Sequence, residues 1–343
     1  MYSRIIAIFL VIISIASGCV SSPKVLPSSS LTPTETCEEI DYYFLDSAIE
    51  YAITPEEITA LLPIANNLKG ESIKEDVWRI LEWEDGNIKY DFEKASLPPA
   101  RITTYPTGKV EINGGSKIQR PSETISTGKG ICTDYTVLTL ALLFAMNYSE
   151  AYALEINFEN DKIGHATALV KINGKFFVLD QKPPVMDLGS YYLHWKNVEG
   201  KVISNATLYR VLWSNGTNVE KIGILYPSDF LKEDYTFTKF DANRLALGLI
   251  KMMESEFPNL KKDENLKNDR LMGYSSGKRW LMTFPNFAMY YNPEFHEQFV
   301  SYIYSRLTST PEVLTDLSEY EYFWVTVEAK EDDLEIELVL ARR

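Results

Sequence analysis

Cys132, His165 and Asp180 are the residues of this chain whose types and order suit nucleophilic chemistry. Cys132 sits in Gly128-Lys129-Gly130-Ile131-Cys132-Thr133-Asp134-Tyr135, where a glycine-rich turn runs into an apolar stretch. His165 lies in Gly164-His165-Ala166 at the head of a β-branched run, and Asp180 closes Phe176-Phe177-Val178-Leu179-Asp180. A thiol at a helix start meets the partial positive charge of free amides, which favours the thiolate. An imidazole within reach takes the proton, and a carboxylate holds that ring in the useful orientation. The backbone amide of Cys132 would point at the same spot and stabilise an oxyanion. The chemistry expected is attack of a thiolate on a carbonyl carbon at a solvent-reachable site, with His165 as base and then acid and Asp180 as orienter. Each residue alone means little, because a buried cysteine is more often inert packing. The conjunction carries the reading.

Three elements must deliver these groups. The run 137–146 is apolar almost all round, as a helix buried on every side would be, and Asn147 reads as its end. Strands follow over 151–158, 165–172 and 175–180, and the last two flank Asn173-Gly174, a strong hairpin signal. If Ile172 pairs with Lys175 across a two-residue turn, Thr167 pairs with Asp180, and His165 becomes a diagonal neighbour of Asp180 on one face. Diagonal residues lie roughly 7–8 Å apart at their backbones, within reach of an imidazole–carboxylate hydrogen bond. A slip of one residue would put the two side chains on opposite faces. Upstream, Thr54-Pro55-Glu56-Glu57 and Ser72-Ile73-Lys74-Glu75 are capping boxes that open helices. Downstream, 241–256 reads as an amphipathic helix, 284–304 is aromatic-rich and ends in a helix, and 322–329 and 334–340 alternate as two strands.

The 343 residues can bury a substantial core, and a net charge of -14 without a basic stripe argues against nucleic acid as a partner. Arg4 precedes an apolar stretch, 5–16, that is short for a membrane span and has the anatomy of an export signal. Ala16-Ser17-Gly18-Cys19 resembles a prokaryotic lipobox, in which Cys19 is lipidated, although Ala16 stands where a larger aliphatic residue is usual. Residues 20–36 are dominated by Ser, Thr and Pro and read as a tether. The expected organisation is a signal peptide (1–18), a lipid anchor with tether (19–38), a catalytic domain (39–215) and an α+β extension (216–343). That places the body at the extracytoplasmic face of the cell membrane. There, Cys37 and Cys132 could instead form a disulfide. The cysteines and three histidines show no zinc spacing, and the mechanism needs no cofactor.

Gly128 to Leu143, the Gly164-His165-Ala166 step and Val178-Leu179-Asp180 resemble the transglutaminase-like superfamily of papain-fold cysteine enzymes. That pattern runs G-x-C-x-D-Y before a leucine-rich helix, then a His opening a strand, then an Asp closing the next. Ile88-Lys89-Tyr90-Asp91 and Pro121-Ser122-Glu123-Thr124-Ile125 also fit, so the resemblance covers roughly 72–187. It implies an α+β fold with a papain-like transglutaminase core, a buried Cys-bearing helix packed on an antiparallel sheet, with a helical N-terminal part and an α+β C-terminal extension. It implies Cys132 as nucleophile, His165 as acid–base and Asp180 as orienter, acting on an amide or peptide bond of a protein or peptide through an acyl-enzyme that passes to water or an amine. The alternative is an inert surface binding or scaffold protein of the same fold. Family members often carry an aromatic two residues after the His, whereas Ala166-Thr167-Ala168 are small, so the cleft wall differs. Gln119 is a candidate oxyanion-hole side chain. His194 and His296 read as packing or surface residues, and Asp134 as a partner of the helix dipole.

Overall fold

The structure, a computed structural model, describes residues 40–98, 100–106, 110–161, 163–268 and 273–343. The expected signal, Cys19, the tether and Cys37 lie outside the described residues. The chain forms two compact units, residues 40–188 with 194–232, and residues 189–193 with 233–343.

In the first unit, helices α1 (Leu45–Ala52), α2 (Pro55–Leu68) and α3 (Ile73–Asn87) lead the chain. The Thr54 and Ser72 hydroxyls accept from the amides of Glu57 and Glu75, so both capped starts form where the spacing predicts them. Short strands β1 (Lys89–Tyr90), β2 (Arg101–Thr104) and β3 (Val110–Asn113) follow, then α4 (Pro121–Thr127), β4 (Lys129–Gly130) and α5 (Cys132–Ala145). Every residue of α5 except Thr133 is buried. The helix is apolar all round because α2 and α3 contact it as well as the main sheet.

That sheet comprises β5 (Glu150–Phe158), β6 (His165–Ile172), β7 (Lys175–Leu179), β8 (Met186–Asp187), β9 (Ile203–Trp213) and β10 (Thr217–Leu225). It is antiparallel, in the order β10-β9-β5-β6-β7-β8. The β6–β7 register runs from Ile172↔Lys175 to Ala168↔Leu179, with Asn173 at φ 52° and Gly174 at φ 86°, as a two-residue primed turn requires. The ladder stops one pair short of Asp180, so that residue leaves the strand while staying diagonal to His165.

The β9–β10 hairpin is absent from the sequence reading and shifts the expected domain boundary. β10 pairs with β9 from Thr217↔Trp213 to Leu225↔Ala206. A strand paired along its length belongs to the body that holds its partner, so the division falls after Lys232 and not at 215/216.

The second unit holds a four-stranded sheet of β11 (Lys261–Lys262), β12 (Ser276–Phe284), β13 (Tyr322–Lys330) and β14 (Asp333–Arg342), in the order β11-β13-β14-β12. Helices α6 (Lys239–Glu256), α7 (His296–Thr308) and α8 (Pro311–Glu319) accompany it. In its core Phe287 packs edge to face on Phe299, and Tyr291 meets Phe299 at a tilt. His296 is a packing residue there, its Nδ1 3.0 Å from the Tyr291 hydroxyl. No helix among the described residues is long and apolar enough to cross a membrane.

Candidate active site

Two glycines steer the chain into Cys132. Gly128 ends α4 at φ 61°, a left-handed turn that costs glycine nothing. β4 then pairs parallel to β1, with Lys89 N–H donating to Gly128 O (2.8 Å) and Asp91 N–H to Gly130 O (2.9 Å). A Cβ on Gly130 would stand 2.9 Å from Asp134 Cβ and 3.3 Å from Thr124 Cγ2, so a side chain there would collide with the start of α5.

Asp134 does more than complement the dipole. Fully buried, it accepts from the amides of Ile131 (2.8 Å) and Gln119 (2.8 Å) and from Lys94 Nζ at 2.8 and 2.7 Å. Burial raises its carboxyl above the ordinary range, against the pull of Lys94 and the two amides. These bonds lock the first turn of α5 and so the direction of Cys132.

Across from that turn, His165 opens β6 with its Nε2 2.8 Å from Asp180 Oδ2. Nε2 is committed to Asp180, and the charge of Cys132 acts on the same ring. Burial is the largest single influence on the ring and pulls its pKa down. Asp180 and then Cys132 outweigh it and push the value up to about 10. The second Asp180 oxygen, Oδ1, receives Gln181 Nε2 at 3.2 Å. Gln181 itself holds φ 64°, a conformation uncommon outside glycine and often seen at sites where geometry is over-determined.

The thiol of Cys132 is free. One expectation fails here: the thiol is not solvent-reachable. Cys132 has 0% exposure, and side-chain exposure is 1% for His165 and 13% for Asp180. Helix α5 sits at the centre of the unit, so its first turn is covered as well as its middle.

The aromatic wall comes from an unexpected place. Thr167, two residues after the His, donates its hydroxyl to Leu179 O (2.9 Å) and pins β7 to β6. The ring that packs on His165 belongs instead to Trp195, at 4.9 Å between centroids and 58°, braced by Phe158 at 4.6 Å. Trp195 lies in the π-helical segment His194–Val198, an irregularity that recurs at functional sites. No spacing rule ties Trp195 to His165; only tertiary packing does. His194 also borders the site, since Asp180 and His165 both act on its charge. Burial dominates and lowers it to about 4, so it is neutral at physiological pH. Gln119 spends its side-chain oxygen on the Thr124 hydroxyl (3.2 Å) and lines a separate surface cavity with Lys94, Ser116 and Lys117.

Glu84 on α3 went unnoticed in the sequence because it reads as one more helix-surface carboxylate. It is fully buried, takes the Thr139 hydroxyl at 2.7 Å on Oε1, and has no partner for Oε2 among the described residues. Burial, helped by the charge of Asp180, raises it to about 8. No group of three or more His, Cys, Asp or Glu among the described residues is arranged to hold a metal.

A family profile described as "Transglutaminase-like domain" matches residues 59–209, a span containing Cys132, His165 and Asp180. A UPF0252 protein of Pyrococcus furiosus is 33% identical over 342 residues, covering 99% of this chain and 96% of that protein. Another UPF0252 protein, from Archaeoglobus fulgidus, is 35% identical over 317 residues, covering 92% of this chain and 94% of its own. Among solved structures, calcium-bound LapG of Legionella pneumophila matches at 13% identity and a TM-score of 0.21, over 43% of this chain and 82% of that one. A likeness that loose carries no argument.

Proposed function

Because this chain belongs to the UPF0252 family and carries a transglutaminase-like domain, we propose that it is a cysteine acyl-transfer enzyme that hydrolyses an amide or peptide bond through a thioester on Cys132. The observation that carries this reading is the buried pair of Asp180 Oδ2 and His165 Nε2 at 2.8 Å, with the free thiol at the helix start acting on the same ring.

With Asp180 and the thiolate both anionic, the imidazolium is the favoured state of His165. The Cys132 sulfur attacks the substrate carbonyl carbon, and negative charge moves to the carbonyl oxygen. The amide of Cys132, first in the helix and without an intrahelical acceptor, faces that oxygen. His165 then gives its proton to the leaving amine as the carbon–nitrogen bond breaks. In the second half it takes a proton from water, which attacks the thioester and releases the carboxylic acid product. An amine entering in place of water would give transfer; water is the more abundant acceptor. The export signal and Cys19 would place this chemistry on proteins or peptides at the outer face of the membrane.

The occluded thiol favours a second reading, a scaffold that keeps the fold without turnover. Incubating the full-length protein and its Cys132→Ala variant with a peptide library and reading new N-termini separates the two. Cleavage by the wild type should vanish in the variant. Cleavage that survives the substitution removes Cys132 from the mechanism, and a wild type that neither cleaves nor has an alkylatable Cys132 is the scaffold.

A further inference from the structure

The relay described above supplies a nucleophile and an acid–base pair but only one donor for the oxyanion, the Cys132 amide. Gln119, whose side-chain oxygen is held by Thr124, faces another cavity. A second donor has to come from an element already beside the start of α5. β1 is that element, because Tyr90 pairs with Gly130, two residues before the nucleophile, and Asp91 N–H donating to Gly130 O fixes the register. The Tyr90 ring is half-buried and packs edge to face on Phe92 at 5.0 Å, yet its hydroxyl oxygen is fully buried. The polar end of this side chain therefore points inward. Of the charged groups acting on the phenol, Cys132 has the largest effect, ahead of Asp180 and Asp134.

We infer that the Tyr90 hydroxyl is the second oxyanion donor, pairing with the Cys132 amide to stabilise the tetrahedral intermediate formed on Cys132. The inference rests on the acyl-transfer reading above. Burial and the surrounding negative charges hold the phenol well above its ordinary pKa, so it remains an O–H donor throughout the working pH range. A neutral hydroxyl suits the task, since it gains strength as charge develops on the carbonyl oxygen and competes little for the substrate ground state.

The test is Tyr90→Phe in the full-length protein, with two probes that reach the same sulfur. In p-nitrophenyl acetate the thiolate forms a sulfur–carbon bond to the acetyl carbon, and p-nitrophenolate departs with the electron pair of the broken ester bond. This passes through an oxyanion. Iodoacetamide reacts by displacement of iodide at a saturated carbon and forms none. Both reagents must cross the same cover over Cys132, and because unfolding would expose the thiol and speed alkylation, both rates are read on variant protein whose near-ultraviolet circular dichroism and thermal midpoint match the wild type. The ratio of the rates is therefore the readout, with alkylation of Cys132 followed by peptide mass spectrometry. Acylation should slow roughly 100-fold, the usual scale for one oxyanion donor, while alkylation stays within about twofold. An unchanged ratio overturns the assignment, whether both rates hold or both fall. A wild type that alkylates at Cys132 but gives no p-nitrophenolate burst overturns the acyl-transfer reading along with it. A wild-type burst matched by the variant overturns Tyr90 alone.

Discussion

Replacing Asp180 by Asn removes the carboxylate that holds His165 charged. The two groups meet at 2.8 Å with side-chain exposures of 1% and 13%, so the pair is nearly dry and water screens it little. A charge pair about 4 Å apart between charge centres interacts by about 4 kcal/mol at an effective dielectric near 20. At 1.36 kcal/mol for each pH unit, this corresponds to about three units of ring titration. In the wild type the ring stays charged up to about 10; in Asp180→Asn burial is opposed mainly by Cys132, and the midpoint should fall to about neutrality. His165 has a folded pKa raised above its unfolded value. The stability it contributes is therefore complete below about 6.5 and is lost as pH rises through about 10, and the variant forfeits most of it. The assay is the carbon-bound ring proton of His165 followed by NMR across pH, assigned through a His165→Gln spectrum. Acyl transfer should drop by roughly 10²–10⁴, as losing the orienter of a triad does. A midpoint within about half a unit of the wild type would refute the claim that Asp180 sets the ring's charge.

Two further outcomes follow from the buried surroundings. Glu84 is held protonated to about 8, against 4.5 for an ordinary glutamate, so between those values the unfolded chain has released a proton that the folded chain keeps. Stability should fall as pH rises through that window, by up to about 1.4 kcal/mol per unit, and Glu84→Gln should flatten the slope and stabilise the protein at pH 8. Urea midpoints at pH 5 and pH 8 measure this, and equal slopes in the two proteins would contradict it. Gly130→Ala sets a methyl against Asp134 Cβ and should cost about 1–3 kcal/mol while slowing alkylation of Cys132, read by denaturant unfolding and by labelling rate.

The relation of His165 to Asp180 was legible because hairpin register is local. Asn173-Gly174 takes the primed turn, side chains alternate with period two, and counting back from the turn puts the two residues on one face. The helix start at Cys132 was legible for a similar reason, a glycine break followed by continuous apolar residues. The β9–β10 hairpin was not legible. β9 is buried on both faces over much of its length while carrying polar residues such as Asn205, bonded across the sheet to Asn157, so neither strict alternation nor an apolar run marks it.

By itself the amino-acid order determined the capped helices, the start of the Cys132 helix and the β6–β7 hairpin with the side chains that share its face, because turn chemistry, capping and periodicity act over a few residues. Tertiary packing alone decided what surrounds them. It brought Trp195 onto the imidazole, placed the Glu84 carboxyl beneath Thr139, set β1 beside the helix start and left the thiol with no exposed surface. Those outcomes depend on contacts between segments far apart in the chain, and residue spacing carries no record of such contacts.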